Sequence, residues 1–305
     1  MKRVLVTGAA GFLGRHALPA LRARGFEIHA LGRTRPADPG VVLHRADLLD
    51  AGSRRDAVRS VAASHLLHLA WTTEPGRYWQ APENLDWVGA SLDLVRCFRE
   101  AGGARAVVAG SCAEYDWSAG ETDRPLRETG SPCRPATLYG TAKDGLRRIL
   151  DAYAASAGLS LAWGRIFYLY GPGERPGRLV GDAVRALLSD RTFATSEGRQ
   201  ARDFLHVADA GAAFAALLDG DVRGPVNVGS GEAPPVRTLL ERIGALTRRS
   251  DLIAYGARPF PAGEPARIVA DVTRLREEVG FAPAFDLDAG LADTVTRFSS
   301  EASGP

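Results

Sequence analysis

The stretch VLVTGAAGFLG, residues 4–14, joins an apolar run to the opening of a helical pattern and carries glycines at 8, 11 and 14. Gly8 suits a tight turn out of a strand, Gly11 lets the backbone approach a pyrophosphate, and Gly14 lets the helix pack closely on the strand it follows. The first amides of that helix, around Phe12 and Leu13, lack carbonyl partners and carry the positive end of the helix dipole. A dinucleotide phosphate is expected there.

Working outward, RVLVTG (3–8), EIHALG (27–32), VVLHRAD (41–47), HLLHLA (65–70), ARAVVAGS (104–111) and SLAWGRI (160–166) read as buried strands. Between most of them lie segments with apolar residues three and four apart and a closing glycine, such as FLGRHALPALRARG and ENLDWVGASLDLVRCFREAG. Strands alternating with helices predict an α/β fold, a Rossmann-type doubly wound parallel sheet covered on both faces. After about residue 166 the rhythm loosens into Pro- and Gly-rich connections, YGPGERPG, GSGEAPP and GARPFPAGEP. The expected division is a dinucleotide-binding domain over 1–166, with segments returning from about 203–229, and a smaller substrate lobe over 167–305 with a cleft between.

The residue after the second strand discriminates between dinucleotides: a carboxylate there holds a ribose 2′-hydroxyl, an arginine a 2′-phosphate. HALGRTR places Arg33 in that position with Arg35 beside it, which favours NADP; the alternative is a solvated loop arginine. After the third strand, Asp47 can accept from an adenine amino group or cap a helix.

Composition narrows the partners. The 38 basic and 36 acidic side chains leave a formal charge of +2 with the signs interspersed, so neither nucleic acid nor a membrane surface is implied. Cys97, Cys112 and Cys133 have no metal-like spacing, which predicts no metal and fits a reducing cytosol. No segment approaches the ~20 apolar residues of a membrane span, and a cytoplasmic protein is expected. The helices near 84–101 and 137–157 carry apolar residues beyond one stripe (Leu92, Val95, Phe98; Leu146, Ile149, Leu150, Tyr153), which predicts a homodimer paired through a four-helix bundle.

Among so many arginines the only lysines are Lys2 and Lys143. Lys143 stands four residues after Tyr139, which puts the two side chains on one helix face, one turn apart. An ammonium is a compact charge that can sit beside a phenol and still donate to ligand hydroxyls, whereas a guanidinium is broad and planar.

With a TGxxGxxG cradle, the HLAW strand end, a serine closing ARAVVAGS, and Tyr139-x-x-x-Lys143, the chain resembles the extended short-chain dehydrogenase/reductases, in the branch of nucleotide-sugar epimerases, dehydratases and ketoreductases. GRIFYLYGPGE, RDFLHVADA, NVGSGE and VADVTRLREEVGF carry the resemblance through the second lobe. It implies that Tyr139 gives or takes the proton, that Lys143 binds the nicotinamide ribose and assists the tyrosine, and that Ser111 polarises the reacting carbonyl. Bringing a phenol from its ordinary pKa near 10 to about 7 takes roughly 4 kcal/mol, which the Lys143 ammonium and an oxidised nicotinamide are expected to supply. The implied cofactor set is Gly8, Gly11, Phe12, Leu13, Gly14, Arg33, Asp47, Leu48, Leu69, Ala70, Tyr139 and Lys143. On the substrate side stand Asn84, Ser111, Tyr168, Arg202 and Arg258. Asn84 reads as supporting the site through a water or, equally, as a helix cap, Arg202 and Arg258 read equally as surface ion pairs, and His206 reads as structural.

Two departures shape the expected reaction. Relatives that dehydrate sugars carry Asp and Glu directly after the catalytic hydroxyl residue, where this chain has Cys112 and Ala113, so dehydration is not expected. The fragment GSCAEY is closer to reductases acting on 4-keto-6-deoxy sugar nucleotides. Tyr168 also replaces an asparagine that many epimerases direct at the sugar diphosphate. The reading is an NADPH-dependent ketoreductase of a nucleotide sugar. The alternatives are a nucleotide-sugar 4-epimerase that uses NAD, and a non-catalytic NADP sensor on the same fold.

Overall fold

The computed structural model describes residues 2–117, 124–260 and 264–302. Its first half builds β1 (Lys2–Thr7), α1 (Phe12–Ala23), β2 (Phe26–Gly32), β3 (Val42–Arg45), α2 (Ala51–Val61), β4 (His65–His68), α3 (Glu83–Glu100), β5 (Arg105–Ser111), α4 (Leu138–Ala157) and β6 (Ser160–Ile166). The six strands read from the sequence are all present, within a few residues of their expected ends.

The second half contributes β7 (Tyr168–Tyr170), α5 (Leu179–Leu188), β8 (Phe193–Ala194), β9 (Ala201–Arg202), β10 (Phe204–His206), α6 (Val207–Asp219) and β11 (Gly224–Val228). It ends with α7 (Val236–Thr247), β12 (Ile253–Ala254), β13 (Arg267–Ile268), α8 (Thr273–Glu277) and α9 (Leu287–Ala302). The central sheet has seven strands in the order β11-β6-β5-β4-β1-β2-β3, every pairing parallel. The fold is therefore the expected Rossmann-like α/β architecture. Strand β11 is an addition to the six expected strands. GPVNV is short and interrupted by Pro and Asn, and it forms by returning beside β6, where the Asn227 side chain also bonds Tyr115, Leu126 and Asp271.

Strand alternation explains why both faces of the sheet are dry. Val4, Val6 and Val107 point into one cluster with Leu18, Leu21 and Phe214 from α1 and α6. Leu5, Ala106 and Val108 point into the opposite one with Val95, Phe98, Leu146 and Leu150 from α3 and α4. Burying each larger side chain fully contributes about 1.5–3 kcal/mol. A third cluster, around Val184, Leu240 and Leu291, fills the second lobe.

This packing corrects the apolar surface expected for pairing. Val95, Phe98, Leu146 and Leu150 are spent inside the chain's own core, while Leu85 and Ile149 are the large apolar residues left exposed on α3 and α4. Among the described residues, no helix is long and apolar enough to cross a membrane.

Candidate active site

At the carboxyl end of β1 the chain turns at Gly8, whose φ of +73° is left-handed, and a Cβ there would lie 2.8 Å from the Ala70 backbone nitrogen. One turn into α1, a Cβ on Gly14 would lie 2.1 Å from the Gly8 carbonyl oxygen. Both positions therefore demand glycine. Gly11 is the N-cap of α1 and provides no side-chain bond to the helix amides. The amides that follow, beginning at Phe12 and Leu13, are free to meet an anion. Leu69 and Ala70 are tied to the same turn, Leu69 N–H donating to the Thr7 carbonyl and Ala70 N–H to the Thr7 hydroxyl. The cradle thus fits a dinucleotide pyrophosphate.

Arg33 leaves β2 as a highly exposed side chain, 3.7 Å from the Asp47 carboxylate. The two residues expected to read the adenosine end therefore face each other at the sheet edge. Asp47 also accepts from the Leu49 amide, while Leu48 is buried in the core behind it.

Strand β5 ends at Ser111, followed by a short 3-10 turn, Cys112–Glu114. The Glu114 carboxylate is fully buried. It accepts from the Ser111 amide at 2.8 Å, the Trp163 indole at 2.9 Å and the Arg165 guanidinium at 2.7 Å, a set of charge-assisted bonds that locks the turn. Tyr115 is equally committed: its hydroxyl donates to Asn227 at 2.7 Å. The Glu-Tyr of GSCAEY is thus framework rather than substrate contact.

Helix α4 is capped by the Thr137 hydroxyl, which accepts from the Gly140 amide. A Cβ on Gly140 would lie 2.2 Å from the Ala113 carbonyl, so the absent side chain lets α4 lie against the turn that carries Ser111. Tyr139 and Lys143 then come to the end of β5, both buried. The Ser111 side chain, whose hydroxyl accepts from the Ala113 amide at 3.2 Å, lies close enough to the Tyr139 phenol to act on its titration. The Lys143 ammonium donates to the Ala109 carbonyl at 2.8 Å and sits 3.7 Å above the Trp71 ring.

Aromatic rings wall in Tyr139, with centroids at 4.9 Å for Tyr78, 5.8 Å for Trp79 and 6.5 Å for Trp71, all edge-on. Trp117 packs on Trp79. This dry enclosure sets the titrations. Burial pushes the Tyr139 phenol well above the usual tyrosine range, Tyr78 adds to the rise, and Ser111 opposes it. Burial also lowers Lys143 to about 7, with the Glu114 carboxylate acting in the other direction. The expected depression of the phenol pKa is therefore not a property of the free chain, because desolvation outweighs the neighbouring charge. Beneath them, His68 is pushed down to about 3 by burial and then by Lys143, and it bridges the Thr7 and Ser91 hydroxyls at 2.6 and 2.8 Å.

The expected substrate residues separate. Tyr168 lies on the Arg202 side, the guanidinium carbon 5.8 Å from its ring centroid. Burial raises its phenol, and Cys112 adds to that. Arg202 is buried rather than poised on the surface, and its guanidinium donates to Glu264 at 2.6 Å. Arg258 is exposed, its amide donating to the Thr195 carbonyl. Asn84 is corrected outright as a substrate contact. It is fully buried, accepts from the Trp71 indole and donates to the Tyr78 and Ala81 carbonyls, all at 2.8 Å, so its polar atoms are occupied. Nor does it cap α3, whose N-cap is Pro82. His206 packs at 4.2 Å on Phe285, and the cavity of about 230 Å³ that it lines includes none of Ser111, Tyr139 and Lys143.

The sequence matches the NAD dependent epimerase/dehydratase family over residues 4–229. The chain belongs to that family. A solved structure of Thermus thermophilus UDP-glucose 4-epimerase in complex with NAD superposes on this family member with a TM-score of 0.86 at 26% identity, covering 97% of this chain and 98% of that one. MoeE5, solved with UDP-glucose and NAD, does so with a TM-score of 0.84 at 30% identity over 99% and 100% of the two chains. By sequence, the dTDP-4-dehydro-6-deoxy-D-allose reductase of Streptomyces bikiniensis is 30% identical over 97% of this chain and 96% of its own. UDP-glucuronate 4-epimerase 5 of Arabidopsis thaliana is 28% identical over 94% of this chain and 73% of its own.

Several residues of this family member's site lie outside the set expected from the sequence. Trp71, Tyr78, Trp79 and Trp117 form the aromatic enclosure, and Glu114 with Arg165 fixes the serine turn. The signal for Trp71, Tyr78 and Trp79 is the density of tryptophan and tyrosine between 71 and 87, and Trp117 lies outside it. For the serine turn there is none, since Glu114 and Arg165 are 51 residues apart.

Proposed function

We propose that this family member reduces a keto group on a nucleotide-activated sugar, a 4-keto-6-deoxyhexose, with NADPH. The observation that carries the reading is the buried Tyr139 phenol beside Ser111, kept protonated at neutral pH by its dry surroundings. A protonated phenol suits donation to a developing alkoxide, the proton transfer a reduction requires. Ser111 hydrogen-bonds the substrate oxygen, Tyr139 delivers its proton to it, and the Lys143 ammonium stabilises the phenolate left behind. Gly8, Gly11, Phe12, Leu13 and Gly14 would hold the pyrophosphate, Leu48, Leu69 and Ala70 would line the adenosine and nicotinamide path, and Arg33 would meet a 2′-phosphate. When bound, a reduced nicotinamide supplies the hydride.

Cys112 supports reduction over dehydration. Burial pushes its thiol up to about 12, so at neutral pH it is no base, and neighbouring Ala113 has no titratable group. The 30% identity to a dTDP-4-dehydro-6-deoxy-D-allose reductase over nearly both full lengths points the same way. On this reading residues 1–166, with returning segments at 203–229, serve the dinucleotide, and 167–305 mainly the sugar nucleotide. Tyr168 and Arg202 would approach its diphosphate, and Arg258 would reach it from the surface.

A second reading, an NAD-using 4-epimerase, is favoured by the similarity to MoeE5 and to the Thermus epimerase, both solved with NAD. It would need Tyr139 to accept a proton first. The test is to incubate the purified protein with NADPH, then NADH, and a panel of 4-keto-6-deoxy sugar nucleotides, following loss of reduced-nicotinamide absorbance. Reduction of a keto sugar with NADPH supports the proposal. Interconversion of two fully hydroxylated sugar nucleotides without net cofactor consumption supports the epimerase.

A further inference from the structure

Lys143 is held by more than its own helix. Its ammonium has three donors: one goes to the Ala109 carbonyl, and the Trp71 face, 3.7 Å away, occupies another. That leaves a third for a ligand hydroxyl. Trp71 follows β4 at the carboxyl edge of the sheet, and its ring also meets Tyr139 edge-on and lies 6.0 Å from Trp87. Its orientation is fixed from behind, because the indole N–H donates to Asn84, and Asn84 is anchored by the Tyr78 and Ala81 carbonyls.

We propose that Trp71, held in place by Asn84, is a positioning residue that seats the Lys143 ammonium beside Tyr139 through a cation–π contact. The proposal rests on the reading of Tyr139 and Lys143 as the reacting pair. A lysine stem is flexible, and in a dry enclosure its ammonium has few places to put its charge. The face of a tryptophan attracts a cation most strongly where water is excluded. The titratable groups acting on this ammonium are His68 from β4 and Glu114 from the turn after β5, and Tyr139 stands one turn before it on its own helix. His68 is neutral and Glu114 is already bonded to Ser111, Trp163 and Arg165. The Ala109 carbonyl fixes one donor, and the indole face is the side-chain contact left to hold the charge in register. Asn84 serves the site through this ring, with no water needed between.

The two-lysine composition makes a direct test possible. In protein labelled with ¹³C and ¹⁵N at lysine only, Lys143 gives one of two side-chain signals, and exposed Lys2 gives the other as an internal reference. In the unaltered protein, ring current from Trp71 should move the Lys143 ε-methylene protons upfield of those of Lys2. In Trp71→Leu that displacement should vanish and the Lys143 titration midpoint should fall by about one pH unit, the scale of a desolvated cation–π contact. Trp71→Phe keeps a ring and should restore part of both, and Asn84→Ala should lose part of both. An unshifted Lys143 signal in the unaltered protein overturns the proposal without any variant. So does a midpoint in Trp71→Leu that stays put or rises, which would make the indole a cover against water. None of these readouts needs a substrate, so failure of the keto-sugar panel and failure of the lysine seat are separate results.

Discussion

Replacing Lys143 with Met removes the ammonium to which the proposed function gives a part in the reaction, and in the cofactor-free protein it should also stabilise the fold in a pH-dependent way. The side chain is 3% exposed, and its pKa falls from an ordinary 10.5 to about 7, first through burial. Between those two values the unfolded chain holds a proton that the folded chain has released, so native stability rises with pH across that window. Below pH about 7 both states are protonated and the full penalty of the buried charge is present. At 1.36 kcal/mol per unit the swing approaches about 5 kcal/mol. Met has no such term, so the stability difference, Met variant minus unaltered protein, should be largest below pH about 7 and shrink by about 3–5 kcal/mol toward pH 10.5. Of the groups around Lys143, His68 is pushed down to about 3 and Tyr139 is pushed up, so neither lowers the swing near neutral pH. Urea unfolding followed by circular dichroism near pH 6, 8 and 10, on both proteins without cofactor, measures the difference. A difference that stays constant with pH would refute the argument, because it would mean the ammonium is solvated in the folded state.

The remaining expectations are shorter. NADPH should bind at least about tenfold more tightly than NADH, a gap of roughly 1.4 kcal/mol, and Arg33→Asp should narrow or reverse it in calorimetry, since the exposed Arg33 guanidinium lies 3.7 Å from Asp47 at the exit of β2. Gly14→Ala should abolish dinucleotide binding and lower the melting temperature, because its Cβ would lie 2.1 Å from the Gly8 carbonyl with only backbone to yield; near-normal cofactor affinity would contradict the cradle. Sedimentation should give about twice the 32.5 kDa chain mass, and Ile149→Arg, at a residue 52% exposed on α4, should yield monomer if α3 and α4 pair across a dimer.

Short-range spacing makes part of this protein legible from its sequence alone. The glycines at 8, 11 and 14, the four-residue step from Tyr139 to Lys143 and the short apolar runs of six strands are each fixed by backbone geometry within a few residues. The cradle, the parallel sheet and the shared face of tyrosine and lysine follow from them. Tertiary structure decided what depends on distant segments meeting. Glu114 became framework because Arg165 arrives on β6, Arg202 turned to Glu264 across 62 residues, and Asn84 turned to Trp71 instead of a substrate. The protonation states belong to the same class: Tyr139 rises and Lys143 falls because four aromatic residues scattered from 71 to 117 close around them and exclude water. Desolvation is a property of the assembled enclosure: the aromatic density between 71 and 87 is visible in the chain, but its closing on Tyr139 and Lys143 is not.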